Sequence, residues 1–208
     1  MRLHSTIRAL FDQWYFPFRS NRGFPYVSGL SRSIDVHSRR AALYSTGMNF
    51  VGIGYDVHQF AEGRQLFLGG VQIPHSKGLD GHSDADVVMH AICDAVLGAL
   101  GAGDIGTFFP NTDPKWKGAP SRVFLEEAAR QVASRGGQIV NVDCTVLAQE
   151  PKIAPHVQAM KKRVGEALRI DPVRVGIKAT TNEKMGFIGR GEGIAAMAVA
   201  SVEIGSEE

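Results

Sequence analysis

The sequence predicts an α+β fold built as α/β-type layers, with helices packed on one face of a sheet. Three observations predict it. Segments of alternating apolar residues interleave along the chain with capped segments of helical period. Stretches rich in Gly and Pro fall between them and read as connections. At 208 residues, 44% hydrophobic and 21% charged, the chain suits one globular domain plus an appendage.

The elements follow in order. A strand starts at Phe50 and runs through Val51, Ile53 and Tyr55. LFLGGVQIP, residues 66–74, reads as a hairpin around Gly69-Gly70, because a two-residue turn needs positive φ at both positions. The polar loop HSKGLDGHSDAD leads into a helix over about 84–100, capped by Ser83 or Asp84 and ended by Gly101 and Gly103. DIGTFFPNTDPKWKGAP is loop with one turn of helix, and Ser121 caps a second helix that stops at Gly136. QIVNVDCTVLAQ alternates Val140, Val142, Cys144 and Val146 and reads as a strand. Pro155 opens a third helix that reaches about Ile170. VRVGIKAT and IAAMAVASVEI are the last strands, with GFIGRGEG a wide hairpin between them in which Arg190 and Glu192 pair.

Charge divides the chain. Residues 1–47 hold seven Arg, no Lys and two Asp, about +5, so the remaining 16 basic and 19 acidic residues give the body −3. The body thus carries no basic field for nucleic acid. No apolar stretch approaches the roughly 20 residues of a membrane helix. Cys93 and Cys144 lack CxxC spacing, which excludes a disulfide framework and a thiolate zinc site and fits a reducing compartment. Residues 1–47, rich in Arg and Ser, read either as an organelle transit peptide or as a disordered or mis-called start ahead of Met48. They are set apart from a domain over 48–206.

The chemistry concentrates in five short stretches. In GYDVHQF, Asp56 and His58 sit two apart, on one face of a strand. In the helix over 84–100, Asp86, His90 and Asp94 fall at i, i+4 and i+8 and form a polar stripe. Such a stripe is ordinarily a solvated face. Joined to Asp56 and His58, His90 completes a set of two imidazoles and a carboxylate with an open fourth position, which suits catalytic Zn²⁺. His82-Ser83 reads as a capping loop, or as a loop that closes over an anion. AQEPK (148–152) reads as a plain connection, or as a turn that reads a base edge with Lys152 on a phosphate. In KATTNEK (178–184), Thr180 and Thr181 are ordinary strand residues, or hydroxyls that with Glu183 meet phosphate and a hard cation. GFIGRGEG fits neither a Walker A loop nor a dinucleotide-binding GxGxxG.

The order D-V-H, H-S-D-x-D-V-x-x-H, D-I-G-x-x-F-P-x-T-D, A-Q-x-P-K, T-T-x-E-K-x-G-F-x-G-R-G-E-G resembles the 2-C-methyl-D-erythritol 2,4-cyclodiphosphate synthases of the non-mevalonate isoprenoid pathway. The resemblance covers about residues 50–204; each motif alone is weak, and five in order are specific. It implies a mixed four-stranded sheet with helices on one face, and a homotrimer with active sites between subunits. Asp56, His58 and His90 match zinc ligands, and Asp56 and His58 also border the substrate. His82 and Ser83 match the substrate loop, with His82 beside the reacting phosphate and counted, with Thr181, as catalytic. Asp104, Ile105 and Gly106 match the segment that holds methylerythritol; Phe109, Pro110, Asn111, Thr112 and Asp113 match further contacts. Ala148, Gln149, Glu150, Pro151, Lys152, Ile153 and Ala154 match the cytidine pocket. Thr180, Thr181, Asn182 and Glu183 match diphosphate contacts, with Glu183 on a second divalent ion, Mg²⁺ or Mn²⁺; Phe187 and Arg190 match other substrate-side positions. Tyr55, Asn111 and Asn182 depart from the usual Phe, Asp and Thr without removing a ligand.

The implied partner is a small CDP-containing substrate, with no nucleic acid and no membrane. The implied compartment is the cytoplasm, or a plastid if residues 1–47 are a transit peptide. The competing readings are a zinc-dependent phosphohydrolase acting on a nucleotide diphosphate, and a non-catalytic nucleotide-binding module.

Overall fold

The computed structural model describes residues 47–110 and 112–205. Asn111, residues 206–208 and residues 1–46, on which the transit-peptide and mis-called-start readings fall, lie outside the described residues.

The elements are β1 (Met48–Ala61), β2 (Leu66–Leu68), β3 (Val71–Ile73), β4 (Gly78–Leu79), α1 (Val87–Ala99), α2 (Ile105–Phe108), α3 (Arg122–Ser134), β5 (Gly137–Leu147), α4 (Val157–Leu168), β6 (Val175–Thr180), α5 (Gly186–Gly189) and β7 (Gly193–Ile204). The main sheet has the order β4-β1-β7-β5-β6 and is mixed: β5 and β6 run parallel and the other pairs antiparallel. Parallel neighbours need a crossover, which α4 provides. The expected four strands are there, plus β4, whose two residues pair with Phe60 and Ala61 and are too few to show a period. The Gly69-Gly70 hairpin forms as expected, with φ of 57° and 73° at the two glycines.

The last two strands are not a hairpin. β5 lies between β6 and β7, so GFIGRGEG spans the end of β5 before the chain turns back, with a turn of helix at Gly186–Gly189. Arg190 and Glu192 do pair, at 2.6 Å. Val140 is also misplaced by the alternation: a bulge between Ile139 and Asn141 shifts the register, so Ile139 is buried while Val140 is only half-buried.

Helices α1, α3 and α4 form a row over one face of the sheet, α1 against β1 and β7, α3 against β5, α4 against β6. The side chains of β1 alternate. Gly52 and Gly54 face α1, and a Cβ on them would lie 2.1 Å from the Ala95 carbonyl oxygen and 2.0 Å from that of Ala91. Glycine is therefore required for strand and helix to meet. On β7, Ala196, Ala198 and Ala200 are buried on the same side. The other face of both strands carries Val51, Ile53, Tyr55, Val57, Met197 and Val199, all 39% or more exposed.

Candidate active site

The alternation that turns Gly52 and Gly54 toward α1 turns Asp56 and His58 the same way. They meet His90 there, on the first turns of α1. Asp56 Oδ2 lies 3.0 Å from His58 Nε2 and 2.9 Å from His90 Nδ1, and the two ring nitrogens are 3.3 Å apart. Among the described residues this is the one group of three or more carboxylates, imidazoles and thiols close enough to share an ion.

The far nitrogens set what the near ones can do. His58 Nδ1 faces the Asp80 carbonyl oxygen at 2.6 Å and must donate to it. That leaves a lone pair on Nε2. The carboxylate and the inward ring nitrogens thus present acceptors to one point, which suits a proton or a cation. Two donors on a tetrahedral ion at ~2.0–2.1 Å sit roughly 3.4 Å apart, so the observed spacing fits a Zn²⁺-sized ion with little movement. Burial works to raise the Asp56 pKa, but the bonds and charge of both imidazoles hold it well below the ordinary carboxylate range. Burial works to lower that of His58, and the bond and charge of Asp56 override it, so His58 is raised.

The stripe on α1 is not a solvated face. Asp86 is fully buried and is the true N-cap, in place of Ser83 or Asp84: its carboxylate accepts from Val88 and Met89 N–H. It also accepts from the N–H groups of Gly69 (2.8 Å) and Gly70 (2.6 Å), so it bolts the hairpin turn to the helix start. Asp94 accepts the Ile105 N–H at 2.8 Å and fixes the start of α2. Burial pushes the Asp94 carboxyl up.

A cavity of about 480 Å³ opens beside the cluster, lined by His58, His82, Ser83, His90, Ile105, Gly106, Phe109, Pro110, Thr112, Trp116 and Phe124. Asp104 caps α2, accepting from Thr107 N and Oγ1 at 2.9 Å each. Those bonds pull its pKa down. Asp113 caps the turn at Pro114–Trp116. Trp116 and Phe124 form an aromatic wall with Phe109, at ring-centre distances of 4.8 Å and 4.5 Å from it. Sequence reasoning missed both; an aromatic in a loop and one inside a helix carry no site signal of their own.

The other expected residues lie elsewhere. A second cavity, about 340 Å³, is lined by Ala148, Gln149, Pro151, Lys152, Ile153, Ala154, Thr180 and Thr181 among others, and shares no residue with the first. Gln149 Oε1 there is buried without a partner. Thr181 Oγ1 donates to Glu183 Oε1 at 2.8 Å, in a turn where Glu183 and Lys184 have φ of 50° and 63°. Asn182 sits in that turn, its side-chain amide 3.4 Å from the Met185 carbonyl oxygen. Glu150 and Arg190 border a third cavity with Gln149, and Phe187 a fourth with His58. Asn111 lies outside the described residues.

An α+β layer with an Asp-His-His cluster at the meeting of strand and helix defines a class, and the class has a family: residues 49–203 match the YgbB family, to which the chain belongs. The 2-C-methyl-D-erythritol 2,4-cyclodiphosphate synthase of Symbiobacterium thermophilum is 58% identical over 152 residues, 73% of this chain and 97% of that one. A protein of Mesorhizobium japonicum named bifunctional enzyme IspD/IspF is 48% identical over 206 residues, 97% of this chain; the chain spans about half of it, 51%. A solved 2C-methyl-D-erythritol-2,4-cyclodiphosphate synthase in a CDP-bound form shares 39% identity at TM-score 0.67, covering 73% of this chain and 99% of its own.

Proposed function

We propose that the chain converts 4-diphosphocytidyl-2-C-methyl-D-erythritol 2-phosphate to 2-C-methyl-D-erythritol 2,4-cyclodiphosphate and CMP, as a phosphorus–oxygen lyase of isoprenoid precursor synthesis. The observation that carries this reading is the convergence of Asp56, His58 and His90 at the rim of a cavity lined by His82, Ser83, Ile105 and Gly106.

An oxygen of the 2-phosphate attacks the β-phosphorus in line. The bond from that phosphorus to the bridging oxygen breaks, CMP carries the electron pair away, and an eight-membered ring closes. The nucleophile is already an anion, so positioning and charge stabilisation carry the catalysis. Asp56, His58 and His90 would hold Zn²⁺, which supplies Lewis-acid polarisation of the β-phosphate when bound. Glu183 would contribute to a second site for Mg²⁺ or Mn²⁺. His82 and Ser83 orient the phosphate, and Asp104 to Gly106 with Phe109 to Asp113 hold the methylerythritol part. Ala148 to Ala154 read the cytosine, with Lys152 on a phosphate. Thr181 stabilises the transition state, beside Thr180 and Asn182, and Phe187 and Arg190 complete the substrate side.

The two disjoint cavities support a homotrimer in which one subunit supplies the metal cluster and its neighbour the cytidine loop. The exposed apolar face of β1 and β7 supports the same reading, since monomers seldom leave such a face bare. We place the synthase domain at 48–206 and the enzyme in the cytoplasm, in keeping with the buried free thiols of Cys93 and Cys144. Phosphorus NMR of the reaction tests the proposal: the expected products are the cyclic diphosphate and CMP. Linear phosphates alone would instead identify a phosphohydrolase.

A further inference from the structure

His90 has a far nitrogen too, and it is held by Ser121, which no motif marked, together with Ser83 of the substrate loop. His90 Nε2 lies 2.8 Å from Ser121 Oγ and 3.2 Å from Ser83 Oγ. Ser121 is fully buried at the start of α3, yet its hydroxyl makes no capping bond to the helix. That hydroxyl instead makes a short bond to Asp84 Oδ1, and the Ser121 N–H donates to Asp84 Oδ2 at 3.1 Å.

A hydroxyl has one proton. A carboxylate only accepts, so the Ser121 proton goes to Asp84. Ser121 Oγ can then only accept from His90, which forces the ring proton onto Nε2. In a ring with one proton the lone pair is then on Nδ1, facing Asp56 and His58; in the zinc-free chain the 2.9 Å hydrogen bond from Nδ1 to the Asp56 carboxylate needs a second ring proton, whose place zinc takes. We propose that Asp84 and Ser121 are the positioning pair of the metal centre, locking His90 in the one tautomer that can ligate. Ser83 Oγ accepts the Ala85 N–H at 3.1 Å and lies 3.4 Å from Ser121 Oγ, where with the Ser121 proton on Asp84 it is the donor.

The same pair ties two loops together. Asp84 N–H donates to the Ala119 carbonyl at 3.1 Å, and Gly118 N–H to that of His82 at 2.7 Å. The loop carrying His82 and Ser83 is thus anchored to the segment that orients His90. Ligand and substrate loop share one support.

The inference rests on the metal-binding part of the proposed function and not on which reaction follows. It is tested on the full chain, without substrate. In the zinc-free protein, nitrogen-15 NMR of His90 should show protonation at Nε2. Ser121→Ala should yield mixed tautomers and bind zinc about 10- to 100-fold more weakly in chelator competition. Ser121→Thr, which keeps the hydroxyl, should restore both. Asp84→Asn exchanges one acceptor for a donor and should weaken zinc in the same direction. A zinc-free His90 that carries its one proton on Nδ1 and none on Nε2 overturns the proposal. So does a folded Ser121→Ala or Asp84→Asn chain with unchanged tautomer and zinc affinity. If Ser121→Ala does not fold, the Asp84→Asn measurement decides alone. Loss of cyclic product with tautomer and affinity as expected would count against the reaction and leave this pair standing.

Discussion

Gly54 lies so close to Ala91 that a Cβ on the glycine would stand 2.0 Å from the alanine's carbonyl oxygen. Two residues further along β1, Asp56 reaches His90, one residue before Ala91 on α1. The metal cluster therefore exists only as long as strand and helix are in backbone contact. Gly54→Ala must push them apart. It should cost about 1–3 kcal/mol of stability, as overpacking does, and weaken zinc although it alters no ligand. Urea unfolding with zinc titration checks this; an unchanged midpoint and unchanged affinity would contradict it.

The Asp56–His58 pair gives the metal-free chain a pH signature. His58 is raised, so its stabilisation is full below its ordinary value of 6.5 and is lost as pH rises through the raised folded value. Asp56 is depressed, so its stabilisation is full above 3.8 and is lost as pH falls through the depressed folded value. Both are complete between 3.8 and 6.5. Zinc affinity runs the other way and rises with pH as the His58 proton departs. With chelator present, wild type should lose more stability than His58→Gln as pH rises from 6.5 through the raised folded value of His58. Parallel curves would sink this account.

Asp86 satisfies four backbone N–H groups from full burial. Asp86→Ala removes a helix cap and strands the Gly69 and Gly70 donors, at a cost of about 2–4 kcal/mol. Hydrogen exchange should speed at both glycines before the core opens. Continued protection of these amides would show that another acceptor replaces the carboxylate.

Ile53 stands 66% exposed at the middle of the apolar face. Ile53→Asp should leave the fold intact, because the side chain is exposed, and should reduce the proposed trimer to single chains. Sedimentation reads the outcome directly. A variant that sediments as wild type would remove this face from the interface.

Much of this was legible in advance, and the exceptions share a cause. Alternation and turn chemistry located every long strand, and Asp56 with His58 shared a face as their spacing requires. What one-dimensional pattern could not carry was relation between elements. Asp86, His90 and Asp94 looked like a solvated stripe because amphipathic period does not say whether a second layer covers the polar side. GFIGRGEG looked like a hairpin because nothing local reveals that β5 intervenes. Val140 fell out of phase because a bulge adds a residue without a sequence mark. Ser121 was correctly placed at a helix start, yet its hydroxyl serves Asp84 and His90, partners 37 and 31 positions away.

The separation of the cavity beside Asp56, His58 and His90 from the one at the 148–154 loop would change what one defective chain does in the proposed trimer. In the proposed trimer, damage to either cavity silences a site that a healthy subunit half owns. Two inactive chains, one altered at His90 and one at the 148–154 loop, would on mixing rebuild an intact site where their sound halves meet. Inheritance of such defects would follow the geometry of subunit contact: partial complementation between unlike alleles, while either allele mixed with wild type costs one site per altered chain and no more.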